Sequence, residues 1–190
     1  NATWVSSDEV RCVSRPADSL VSASDTVFLA FRDHEEVMET SALHTSGPRG
    51  PTVKNGELIL TYAETNQERS LVVRGPRMSG QQHFAASFDL YVGGGLGGEG
   101  VSACLGELPD AAFGEAGAGE GLRVVLLTHA ERLEVRYDGE LLVGRRVARS
   151  VFRAERFVPV RIAYDAMGLQ VRIDGSVLVQ DLLISTWAPQ

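Results

Sequence analysis

Two cysteines in 190 residues are too few for a disulfide framework, and Cys12 and Cys104 lack the spacing of a zinc site. Two readings are left for them. They pair with each other in an oxidising compartment, or Cys104, in the apolar run V-S-A-C-L, is simply a small buried hydrophobe. No stretch approaches the ~18 uninterrupted apolar residues of a membrane-spanning helix. Lysine is almost missing: Lys54 is the one lysine among 18 basic residues, and the rest are arginines. So uniform a bias reads as GC-rich coding, although arginine forks do suit carboxylates. The net charge of -7 gives no basic footprint for nucleic acid.

The usual marks of catalysis are also absent. Glycosidases of β architecture alternate carboxylates along one strand, because residues two apart share a face and can flank a glycosidic bond. Glu131, Glu134 and Asp138 have other spacings and read as the solvated face of a hairpin. The histidines, His34, His44, His83 and His129, are scattered, with no i, i+2 or i, i+4 partner for a metal. There is no G-x-S-x-G elbow, and Cys104 has no recognisable base beside it. The glycine run from Gly93 to Gly98 lacks the Lys-Ser/Thr of a phosphate loop and reads as an inter-strand loop. A second glycine-rich loop, 110–121, carries Asp110 and Glu115. Its oxygens are candidate calcium ligands, though no calcium motif is present, and the competing reading is a mobile loop kept solvated by its charges. The expectation is a protein that is not an enzyme and holds no cofactor.

What is present is the writing of an antiparallel β protein. Hydrophobic residues make up 44% of the chain, enough to build a core. Alternation predicts strands over 57–63, 70–74, 84–92, 101–105 and 122–128. Leu133, Val135 and Tyr137 then face one way and Glu134 and Arg136 the other, before Asp138-Gly139 turns the chain into 141–143. The device recurs at Ala166-Met167-Gly168 and again at Asp174-Gly175, between strands ending near Ile184. Tight turns in succession mean antiparallel pairing, because parallel strands need long crossovers. Residues 25–31 form one further predicted strand, and Asp33 caps a candidate helical turn. Periodicity is lost between 32 and 55, which sets the domain boundary: 1–33 as one segment and 34–190 as the main domain.

The order G-x-L-x-L-T, F-x-A-S-F-x-x-Y, G-x-G-V-S-x-x-L-G-x-L-P, G-L-R-V-x-L and R-F-V-P-V-x-I-x-Y-D-x-x-G-L-x-V-x-I-D-G resembles the concanavalin A-like lectin and glucanase superfamily, in its laminin-G-like or legume-lectin-like form. The resemblance implies an all-β, antiparallel jelly-roll β-sandwich. Where legume-type members place a sugar-binding aspartate in A-D-G, this chain has Gly98-Glu99-Gly100, whose carboxylate reaches about 1.5 Å further out. The segment from Trp4 to Pro16 is similar to the late strand of a TIG (IPT) immunoglobulin-like domain, W-x-S-x-x-x-[IV]-x-C-x-x-P, with Arg15 inserted before the proline. It implies a C-terminal TIG fragment or a linker strand.

These resemblances, with the Asn1-Ala2-Thr3 glycosylation sequon, imply an extracellular or cell-surface glycoprotein. With no initiator methionine and no signal-peptide pattern, the chain is expected to be cut from something longer; because it stops at Trp187-Ala188-Pro189-Gln190, the jelly roll is expected to lack its last strand unless residues 27–31 supply it. The expected role is a non-catalytic module for adhesion, assembly or glycan recognition, with glycans, sister domains or a neighbouring surface protein as partners. A carbohydrate-active enzyme with an atypical site and a structural spacer are the alternatives. Candidate binding residues are Gly98, Glu99, Gly100, Asp110 and Glu115, in or beside the loops 93–99 and 109–121 that a sandwich would hold out to a ligand.

Overall fold

The computed structural model describes residues 2–4, 9–14, 41–46, 52–62, 68–73, 83–93 and 100–187, with 2–4, 9–14, 41–46 and 73 described through their backbone. Among the described residues fourteen strands form two seven-stranded sheets. Across the first run β11 (Glu140–Arg146), β10 (Arg132–Tyr137), β9 (Leu122–Leu127), β8 (Val101–Leu105), β1 (Ala2–Trp4), β6 (Glu68–Val73) and β3 (Ser41–Ser46). Across the second run β14 (Ser176–Leu182), β13 (Gly168–Ile173), β12 (Val158–Asp165), β7 (Phe84–Gly93), β2 (Glu9–Ser14), β5 (Glu57–Thr61) and β4 (Thr52–Lys54). Every pairing is antiparallel.

The hairpins follow from turn chemistry. Asn55-Gly56, Asp138-Gly139 and Asp174-Gly175 each have both φ angles positive, between 47° and 86°. That backbone matches the right-handed twist of the flanking strands, and Asn, Asp and Gly are the residues that adopt it readily. The register then follows: Lys54 lies opposite Glu57, Tyr137 opposite Glu140 and Ile173 opposite Ser176.

Period-two alternation sends one face of each sheet into a single core. Leu133 and Val135 from the first sheet and Ile162 and Val171 from the second belong to one buried cluster, each no more than 1% exposed. A gap between the layers, lined by residues such as Val101, Val124, Ile162 and Val171, measures about 10 Å³. That is room for one water at most, among apolar side chains. Helix α1 (Arg149–Phe152), a single turn too short to show periodicity in the sequence, drives Phe152 into this cluster. Along the open side, Arg145 Nη1 on β11 donates to the carbonyl of Leu178 on β14 at 2.6 Å, clasping the two edge strands.

An aromatic group closes one end. Trp187 stacks on Tyr164 at 4.0 Å and 17°, lies 5.7 Å from Phe84, and meets Tyr137 of the first sheet at 5.7 Å and 36°. Its backbone N–H donates to Ile184 at 3.0 Å.

The N-terminal segment, expected as a TIG-like fragment or a linker strand, pairs within both sheets. β1 lies between β6 and β8, and β2 between β5 and β7, so the N-terminal segment supplies an inner strand to each sheet. Its TIG-like pattern and the aperiodic stretch after it set it apart in the sequence, and neither specifies a partner strand. β3 and β4 fall in the stretch read as aperiodic. The predicted strand over 25–31 and the turn after Asp33 lie outside the described residues.

Replacing Trp187 with alanine removes the ring that joins both layers. The expected cost in urea unfolding is about 3 kcal/mol, at the low end for aromatic deletions because the ring is half-buried. A loss under about 1 kcal/mol, ordinary for a surface change, would contradict a closing role.

Candidate functional site

The loop after β8 folds back over the outer face of the first sheet, the face turned away from the shared core. Leu122, Val124 and Leu126 point inward, so Arg123 and Val125 point out; likewise Ser102 and Cys104 alternate with Val101 and Ala103. Against this outer face packs a second small cluster of Val72, Cys104 and Phe113, with Leu108 and Ala118 beside it. Ser70 Oγ donates to the Ala111 carbonyl at 3.3 Å, and Arg123 Nη2 to the Gly119 carbonyl at 2.8 Å. Gly121 N–H donates to Asp138 Oδ1 at 2.8 Å, and Asp138 N–H returns to the Gly121 carbonyl at 3.1 Å. The acidic composition suggested a solvated, mobile loop. Phe113 supplies the anchoring bulk, and Gly117, at φ +71°, lies so close that a Cβ there would stand 2.6 Å from Cys104 Sγ.

The candidate residues separate. Asp110 is exposed and Glu115 half-buried, both on this packed loop. Gly100 is buried where the chain enters β8, and a Cβ on it would meet the Leu126 carbonyl at 2.3 Å, so its role is close strand approach. Gly98, Glu99 and Asn1 lie outside the described residues. Among the described residues no three of His, Cys, Asp and Glu converge to hold a metal ion. Cys104 is completely buried, and its thiol donates to Ser102 Oγ at 3.8 Å. Cys12 belongs to the other sheet, in register with Leu90 and Leu58.

Two arginine arrangements escaped the sequence reading, because each depends on strand register. On the outer face of the first sheet Glu134, 8% exposed, is held from both sides along β10. Arg132 Nε reaches Oε1 at 3.0 Å, while Arg136 Nε and Nη2 both reach Oε2 at 2.9 Å. Gly144, opposite Glu134, gives the Arg132 guanidinium room: a Cβ there would sit 2.4 Å from Nη2. On the outer face of the second sheet Arg161 and Arg172 stand directly opposite each other. Arg161 Nη1 donates to Ser87 Oγ at 3.2 Å, and Arg172 Nε to Gln170 Oε1 at 2.8 Å. An aromatic pair, Tyr91 and Phe157 at 5.7 Å and 55°, lies further along β7.

Beside that face the Arg156 guanidinium donates to Asp174 Oδ2 at 2.6 Å. This hydrogen bond, reinforced by the opposite charge, holds the Asp174 carboxyl below the usual aspartate range.

Comparison with protein-family models, with curated proteins and with solved structures finds no match.

Gly117→Ala is expected to lift the loop off the sheet. In reduced native protein the Cys104 thiol resists alkylation, and in the variant its labelling, read by peptide mapping, accelerates; equal rates would contradict the packing. Asp174 gives a pH signature with a definite sign. Its folded pKa is depressed, so its contribution to stability is present above the unfolded pKa and is lost as pH falls through the folded one. In a carboxyl NMR titration its midpoint lies below that of an ordinary aspartate, and Arg156→Gln moves it up; an unmoved midpoint would refute the pairing.

Proposed function

We propose that this chain is a non-catalytic binding module of a larger extracellular or cell-surface protein, folded as a concanavalin A-like jelly-roll β-sandwich and engaging glycans or protein partners through its exterior. The observation that carries this reading is the filled interior. Both sheets close on one apolar core with a gap of only about 10 Å³, so a ligand meets the outer faces and the loops. Two carboxylates of the exterior are engaged in structure: both oxygens of Glu134 are taken by arginines, and Asp174 is paired with Arg156. A carboxylate so held is a poor general acid or nucleophile, and a glycosidase requires two free ones flanking the bond. The pinned loop 106–121 gives the first sheet a rigid rim, the usual way a β scaffold presents recognition surfaces. The pairing of β1 and β2 inside the two sheets favours the linker-strand reading of residues 1–33 over a separate TIG-like fragment.

A glycan array, run beside capture of defined extracellular proteins, tests the reading. Saturable binding to glycan or protein, with no new reducing ends after long incubation, is the expected result. Release of reducing sugar from a polymer, or binding in neither assay, would overturn it.

A further inference from the structure

We infer that the outer face of the second sheet, at Arg161 and Arg172, binds the carboxylate of an acidic glycan; this rests on the binding-module reading above. The two arginines stand in register on neighbouring strands. Opposed residues of an antiparallel pair have Cβ atoms about 4.5–5.5 Å apart, and like charges so placed repel. Among the described residues neither forms an ion pair: Arg161 is held by the Ser87 hydroxyl and Arg172 by the Gln170 amide oxygen. Asp89, the carboxylate on the same face of β7, is buried at 8% exposure. The sheet therefore keeps two adjacent guanidinium forks against their mutual repulsion and orients them with neutral acceptors.

The molecule itself shows what such forks take. On the first sheet two arginines converge on the single carboxylate of Glu134, one on each oxygen, at 2.9–3.0 Å. Arg161, half-buried, and Arg172, exposed, present the same donors with no side-chain carboxylate between them among the described residues. A ligand carboxylate receives charge-assisted, two-point hydrogen bonds there.

The neighbours favour a sugar acid over an acidic peptide. Ser87 Oγ and Gln170 Oε1 accept from the arginines, which leaves the Ser87 hydroxyl proton and the Gln170 amide hydrogens to meet ligand hydroxyls. Ala163, between Ala85 and Gln170, adds little bulk, and the Tyr91–Phe157 pair offers an apolar surface further along. A run of acidic side chains would meet the net charge of -7, whereas a glycan with one carboxylate per repeat meets it weakly.

Titration of the intact protein with glucuronate-containing oligosaccharides, by calorimetry at low and moderate salt, tests the inference. Binding is expected, weakening as salt rises and lost when the carboxylates are reduced to alcohols. Arg161→Gln and Arg172→Gln should each weaken it about tenfold or more, the scale of a charge-assisted hydrogen bond, while Arg146→Gln on the other sheet leaves it unchanged. Both site variants should melt at or above the parent temperature, since a repulsion is removed. Three results overturn the inference: no binding of the oligosaccharides, affinity kept in the double variant, or an oligoglutamate peptide bound as tightly as the glycan. Neutral-glycan or protein binding that persists without uronate binding would sink this site and leave the module reading intact; loss of all binding would sink both.

Discussion

Two sheets, each apolar on one side, must shut those sides against each other, and every other feature of this molecule follows from that closure. The side-chain period of two leaves no freedom: once Leu133 and Val135 point inward, Glu134 points outward. A register slip of one residue would turn each inward set to solvent, so the aspartyl-glycine and asparaginyl-glycine turns that fix register are as consequential as the core itself. Trp187 completes the closure by touching Tyr137 of one layer and Tyr164 of the other.

The filled core leaves the outer faces and the loops as the exposed surface. The loop 106–121 covers one side of the first sheet, buries Cys104 and leaves the β10 end of that face to the Arg132, Glu134 and Arg136 clamp. That clamp is internally satisfied and stabilises the face. Arg161 and Arg172 on the second sheet have neutral partners instead, and the proposed binding face rests on this asymmetry.

Legibility in the sequence followed the range of the interaction. Strands β7 to β10 and β12 to β14 were readable because their pattern and their turns are local, and Val101–Leu105 agrees to the residue. Asn55-Gly56 carried the same signal as the later hairpins, yet its strand β4 has only three residues, too few to show alternation. The placement of β1 and β2 was unreadable, because partner choice within a sheet is a long-range matter. The arginine pairs were hidden for the same reason. Arg161 and Arg172 stand eleven positions apart in sequence and become neighbours only through the hairpin register.

The central claim is that the two sheets share one core and that the N-terminal strands β1 and β2 are paired inside those sheets. Amide hydrogen exchange followed by mass spectrometry tests this most directly. The account predicts that residues 9–14 exchange as slowly as β5 and β7, between which they lie. Fast exchange of 9–14 beside protected β5 and β7 would show a body that closes without them, and would contradict the account.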